Sequence, residues 1–274
     1  MQGGEKRTGC QTTERQADLM DPARAAAFQV ALGQEPTIGA GSVLPPFFHQ
    51  LYFWAPRPPG ALGRDGHPRV GDGIIPDMGL PRRMWAGGRL AFHAPLLAGV
   101  PAERVSHLEQ AVRKTGRSGP LAFVTLRHEI SQGRRVCVTE WQDLVYREDP
   151  DPSAARPAPP EARRDETERR TVSFSTTLLF RYSALTFNGH RIHYDLDYAR
   201  QVEGYDGLVV HGPLLAQLLM LLAEEAIGPL AGFAFRASSP LMHFDTAELC
   251  LKGRELWVRG PDGRQCMTAA AETG

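Results

Sequence analysis

The chain predicts an α+β protein in which a long apolar helix is wrapped by antiparallel sheet, a pattern that occurs in both halves of its 274 residues. Three observations lead there. The run Leu-Leu-Ala-Gln-Leu-Leu-Met-Leu-Leu after Gly212-Pro213 carries leucine on every face, as a helix enclosed by sheet must. Leu121–Ile130 and Arg135–Tyr146 are rich in Val, Thr and aromatics and meet at Gln132-Gly133, an antiparallel hairpin signal. Each half also runs from a proline-led apolar helix, Pro46–Trp54 and then Pro213–Ile227, into a series of strands.

Residues 1–20 are polar and expected to be poorly ordered until Asp21-Pro22 opens a helix, with Asp as N-cap and Pro at the first helical position. Pro56–Pro81 is Gly/Pro-rich loop, and Trp85–Phe92 turns to strand. Glu148–Arg170 has five prolines, no aromatic residue and many charges, so it reads as a disordered linker. Strands are then expected at Val172–Arg181, Gly232–Ser238, Ala247–Leu251 and Glu255–Arg259, with a last one after the turn Gly260-Pro-Asp-Gly263. The resulting organisation is an N-terminal unit over 21–147, a linker over 148–170 and a C-terminal unit over 171–274.

Hydrophobic content of 42% and charged content of 23% are those of a globular protein. The charges balance, 31 basic against 31 acidic, which removes any general pull toward nucleic acid or an anionic membrane. Four scattered cysteines without a C-x-x-C pair argue against a zinc site or disulfide framework and fit a reducing, cytoplasmic setting. No secretory-type apolar core is expected at the N-terminus, and the run Pro213–Leu222 is too short to span a bilayer. Dinucleotide, Walker and serine-elbow motifs are absent from the sequence.

Chemistry concentrates in Thr186–Met220. His193 titrates near neutrality and can accept and return a proton. Asn188 cannot act as a base, but it can hold a water; alternatively it is an Asx-turn residue before Gly189. His190 either braces the turn or touches substrate, and in an extended segment it faces away from His193. His190-x-x-His193 lacks a third metal ligand at a recognisable spacing, so no metal is expected. Gly212-Pro213 is either an ordinary helix start or a place where free N–H groups hold an oxyanion. Arg82, Arg83 and Trp85 are candidates for phosphate and adenine contacts, and Arg181 or Arg191 for a substrate carboxylate.

This spacing resembles the hydratase-2 motif of the MaoC-like dehydratases, in which a carboxylate lies five residues before the catalytic His; Asn188 stands at that position here. The form F-N-x-H-x-I-H, together with Leu80–Gly88, resembles the subgroup of type-2 hydroxyacyl-thioester dehydratases and of mesaconyl-C4-CoA and itaconyl-CoA hydratases. The resemblance implies a double hotdog fold and a hydro-lyase acting on an α,β-unsaturated acyl thioester. His193, Asn188 and Gly212 would then be catalytic, and His190, His211, Arg191, Arg83 and Trp85 substrate contacts. It further implies a short dicarboxylic acyl-CoA substrate, coenzyme A present only as part of that substrate, no other cofactor, and a homodimer. Dehydration of fatty 3-hydroxyacyl thioesters, or thioester binding without turnover, are the alternatives. With Asn188 in place of an acid, either His193 alone moves the proton or another carboxylate, such as Asp195, substitutes.

Overall fold

A computed structural model describes residues 13–71, 73–116, 119–149 and 158–274. Ten strands form one continuous antiparallel sheet. The first half supplies β1 (Thr13–Asp18), β2 (Arg82–Phe92), β3 (Ala102–Gly116), β4 (Gly119–Gln132) and β5 (Arg135–Arg147). The second half supplies β6 (Glu168–Ser173), β7 (Leu230–Ala237), β8 (Thr246–Lys252), β9 (Glu255–Arg259) and β10 (Gln265–Thr273). Their spatial order is β1-β3-β4-β5-β2-β7-β10-β9-β8-β6, so each half is a five-stranded unit and the two join edge to edge through β2 and β7. This is a double hotdog.

The hairpin β4–β5 forms where the sequence placed it, with Gly133 at φ 60° in the turn. Along β4 strict alternation buries Ala122, Val124, Leu126, His128 and Ile130. The helix α1 (Pro22–Ala31) opens with the Asp21 carboxylate accepting from the Ala23 N–H. After α2 (Thr176–Leu185) and α3 (Leu196–Gln201), the long helix α4 (Gly212–Ile227) lies against β7, β8, β9, β10 and β2, with Leu214, Ala216, Leu219, Met220 and Ala223 fully buried.

Several expectations change. The first half has no counterpart to α4: of Pro46–Trp54 only Phe48–Leu51 is helical, as a single 3-10 turn. Part of the polar N-terminus is ordered, because β1 pairs with β3. The strand β3 itself was not anticipated, since its outer half is charged and exposed. Val172–Arg181 is not one strand. It ends at Ser173, and the Ser175 hydroxyl caps α2 by accepting from the Leu178 N–H.

The linker reading fails for residues 158–170; residues 150–157 lie outside the described residues. The segment has no large apolar side chain, but Ala162 is buried against Cys250 and Trp257, and backbone bonds hold it to the second half, among them Gln265 N to Pro160 O at 2.8 Å, Ala162 N to Gly263 O at 2.9 Å and Thr167 N to Leu251 O at 2.9 Å. Arg259, 4% exposed, donates to the Arg163 carbonyl and to both Glu166 oxygens. Composition misleads here because these anchors come from residues about ninety positions later.

Replacing Arg259 with Met leaves Glu166 and Glu248 without their buried cation and should cost about 3 kcal/mol. Urea unfolding would show it as a lower midpoint at constant m. An unchanged midpoint would mean that the strap 158–170 is held by its backbone bonds alone.

Candidate active site

Where α2 ends, Phe187 takes a positive φ of 51° and the chain reverses. The Asn188 N–H donates to the Ser183 carbonyl at 2.8 Å, and the Asn188 Oδ1 accepts from the His190 N–H at 3.0 Å. Asn188 is therefore an Asx-turn residue, with one lone pair of its oxygen given to the turn. The segment Arg191–His193 is a 3-10 turn rather than extended chain. As a result His190 and His193 share one cluster, with ring centroids 5.3 Å apart and planes nearly perpendicular. Asp195 cannot replace the lost acid. Its Oδ1 caps α3 from the Tyr198 N–H and its Oδ2 holds the Arg191 guanidinium.

His193 is 6% exposed, and its Nδ1 lies 2.7 Å from the Val209 carbonyl. A carbonyl only accepts, so Nδ1 carries the hydrogen and Nε2 keeps its lone pair. Burial lowers the His193 pKa to about 3. His211 stacks on it at 3.6 Å between centroids and 19° between planes. His211 is completely buried, its Nε2 2.8 Å from the Ser183 hydroxyl and its Nδ1 without a partner among the described residues. With no accessible surface, packed against His193 and Ser183, it is not placed as the substrate contact expected.

The other wall comes from the first half, in the Gly/Pro-rich stretch read as plain loop. The backbones touch at Gly66 and Gly189: a Cβ on Gly66 would stand 2.0 Å from the Gly189 carbonyl oxygen, and one on Gly189 2.6 Å from that of Gly66. The Arg191 N–H donates to the Asp65 carbonyl at 2.9 Å, and an Arg191 guanidinium N–H to that of Arg64 at 3.1 Å. So clamped, Asp65 accepts from the His67 backbone N–H through Oδ1 (3.1 Å) and from the ring Nδ1 through Oδ2 (2.9 Å). The His67 ring lies 4.5 Å from that of His190.

Burial pushes the Asp65 carboxyl up, but the hydrogen bonds and charge of His67 outweigh it and the pKa falls below the usual range. His67 is lowered by burial and by the charge of Arg83, against the pull of Asp65. His190 is lowered by burial and by its histidine neighbours. The sequence reading missed Asp65 and His67. The signal available was Asp-Gly-His-Pro, a carboxylate two residues before an imidazole, the reach of an Asx turn. A third potential ligand to His190 thus exists, since Asp65, His67 and His190 each offer an atom within 4.8 Å of the others. Asp65 commits both oxygens to His67, however, so the set reads better as a hydrogen-bonded pair than as a metal site.

Gly212 begins α4 next to His211, and no side chain caps the helix. Its N–H has no acceptor among the described residues. A Cβ there would meet nothing nearer than the Trp85 carbonyl oxygen at 3.9 Å, and φ lies outside the left-handed region. There is therefore room for a side chain at this position. The Trp85 indole donates to Gly87 O and packs edge-on against Phe47, so it is not a free adenine platform. Arg82 is buried in an ion pair with Glu203 at 2.6 Å and cannot serve a phosphate. Arg191 is held by Asp195 and lies over the Tyr198 ring, and Arg181 is exposed on α2. Arg83 differs: half-buried beside His67, it has no ion-pair partner among the described residues.

The family model for hydroxyacyl-thioester dehydratase type 2 matches residues 47–243. Mesaconyl-C(4)-CoA hydratase of Chloroflexus aurantiacus is 47% identical over 263 residues, covering 91% of this chain and 92% of that protein. The mitochondrial hydroxyacyl-thioester dehydratase type 2 of Saccharomyces cerevisiae is 29% identical over 75% of this chain and 72% of its own. Among solved structures, HtdX of Mycobacterium tuberculosis superposes with a TM-score of 0.68 at 19% identity, covering 96% of this chain and all of that one.

Five histidines have depressed pKa values in the fold: His67, His190, His193, His211 and His128, the last at about 4 through burial. The unfolded chain binds protons at these groups below about pH 6.5, where the native state does not. Stability is therefore full above pH 6.5 and falls as pH drops below it. The fully buried His193 and His211 alone contribute a slope of up to about 2.7 kcal/mol per pH unit. Melting temperature should decline steeply from about pH 6.5 to about pH 5. A flat profile would mean that these imidazoles become charged in place.

Proposed function

The chain belongs to the hydroxyacyl-thioester dehydratase type 2 family, and from that premise we propose that it adds water to, or removes it from, an α,β-unsaturated acyl-CoA with a short dicarboxylic chain. One observation carries the mechanism. His193 is held neutral by its Nδ1 bond to Val209, which leaves Nε2 to accept, and it stacks on the residue that precedes an uncapped helix start. Water attacks the β-carbon and gives a proton to His193 Nε2. The electron pair of the double bond moves through the α-carbon to the thioester oxygen, where the Gly212 N–H and the dipole of α4 stabilise it. The imidazolium then returns the proton to the α-carbon, so one group serves both steps.

The dicarboxylic substrate rests on the name of the 47%-identical relative and on Arg83, the half-buried guanidinium left for a free carboxylate. Dehydration of a hydroxyacyl thioester, suggested by the yeast relative's name, would use the same steps in reverse, and a fatty 3-hydroxyacyl chain would not need that cation. The chemistry requires no cofactor beyond the thioester. Buried free thiols at Cys137, Cys250 and Cys266 support a reducing, cytoplasmic setting. No helix among the described residues is long and apolar enough to cross a membrane. Exposed rings, Phe180 and the stacked Trp54–Phe187 pair, support a homodimer.

Loss of enoyl-thioester absorbance with crotonyl-, mesaconyl- and itaconyl-CoA tests the activity and ranks the substrates. His193→Ala should lower kcat by at least about 100-fold while leaving binding intact; more than a tenth of wild-type turnover would remove His193 from the chemistry. Gly212→Val fills the space before the helix start, where the backbone itself tolerates a side chain. It should lower kcat by roughly 100-fold with a melting curve close to wild type. A folded variant with near-normal kcat would place the oxyanion elsewhere.

A further inference from the structure

We propose that the Asp65–His67 pair of the N-terminal unit is the second proton-handling element of this site, taking the place of the carboxylate missing at Asn188, with His67 as a catalytic residue that holds the attacking water. The inference rests on the hydration reading and names what completes it.

Hydration needs the water oriented as well as deprotonated. Asn188 already spends one Oδ1 lone pair on the His190 N–H and cannot take a proton, and Asp195 is committed to Tyr198 and Arg191. Asp65 is ionised and accepts the His67 Nδ1 hydrogen at 2.9 Å, which fixes the tautomer and leaves Nε2 as an acceptor. The ring so oriented packs at 4.5 Å against His190, which lies 5.3 Å from His193. Two imidazoles from the two halves thus offer Nε2 lone pairs in one cluster. One water hydrogen is accepted by His67 Nε2 and remains in the product hydroxyl. The other passes to His193 Nε2 and on to the α-carbon, so the balance of atoms and electrons is that of simple hydration. Asp65 is a positioning residue, since it acts only through His67.

A structural role alone would need only the backbone clamp, which Gly66, Gly189, the Arg191 N–H and the Asp65 carbonyl already supply. The Asp65 Oδ1 bond to the His67 N–H shapes the loop, but the Oδ2 bond to the His67 ring is not part of the clamp.

The test uses the full-length enzyme and whichever of the three CoA thioesters it hydrates fastest. Asp65→Asn keeps the shape but can donate to Nδ1, moving the His67 hydrogen to Nε2 and abolishing the acceptor. Both Asp65→Asn and His67→Ala should lose on the order of 100-fold in kcat with KM within about threefold of wild type. His67→Gln, which retains an amide oxygen as acceptor, should fall between His67→Ala and wild type, and it stands in if His67→Ala fails to fold by circular dichroism. A folded Asp65→Asn or His67→Gln enzyme with wild-type kcat, or a loss confined to KM, overturns the proposal. So does activity that a chelator abolishes and a divalent metal restores, because the pair would then be ligands. Wild-type inactivity on all three thioesters overturns the hydration reading along with it, whereas an active wild type with unaffected variants overturns this inference alone.

Discussion

Everything in the site depends on two edges of sheet meeting at β2 and β7. That seam is close because Gly87 and Gly88 have no side chains: a Cβ on Gly87 would stand 2.6 Å from the Phe235 carbonyl oxygen, and one on Gly88 3.2 Å from the Phe235 ring. Across it Gly87 pairs with Arg236 and Ala91 with Gly232, fixing the register of one half on the other. The strand that forms the seam also carries Trp85, whose carbonyl borders Gly212, and Arg82, whose ion pair with Glu203 ties the start of β2 to the segment before α4. A second close approach, Gly66 on Gly189, sets the loop of the first half on the histidine turn of the second. Both contacts are backbone against backbone, which makes the relation between the halves rigid where chemistry needs it.

Much of this was legible in the sequence where the signal is local. The α4 run, the β4–β5 hairpin and the Asp21 cap are written in periodicity and turn chemistry, and His193 and Gly212 stand out by spacing. What failed was non-local. Residues 158–170 read as disordered because their anchors, Arg259 and β8, lie elsewhere in the chain. Val172–Arg181 reads as one strand, although the Ser175 hydroxyl caps a helix that begins at Thr176. His190 was set opposite His193 by an extended reading that the Asn188 turn overrides. Asp65 and His67 were invisible for the same reason: nothing local indicates that a Gly/Pro-rich loop will land on a turn over one hundred residues away.

The electrostatics follow from burial more than from charge. Neutral imidazoles stack within a few ångströms of one another, an arrangement that charged rings would not tolerate. The half-buried Arg83 lies beside His67, and the Asp65 charge is matched to the His67 donors. On the proposed mechanism the imidazoles would offer lone pairs to water and Arg83 a cation to the acyl chain. Asp65 and His67 would then supply what an acid at the position of Asn188 would have supplied, while Asn188 holds the turn.

The uncapped start of α4 has a consequence for the molecule as a whole. A helix of sixteen residues that forms the core of its unit is left with a bare positive pole, because His211 contributes no cap and Pro213 no donor. In the proposed mechanism an acyl thioester carbonyl settling on the Gly212 amide would do for α4 what serine or aspartate does for ordinary helices. Substrate would then join the fold's own hydrogen-bond inventory, and occupancy and cohesion would become linked quantities. On that reading the free enzyme is the incomplete state, and each catalytic cycle would close and reopen the end of its central helix.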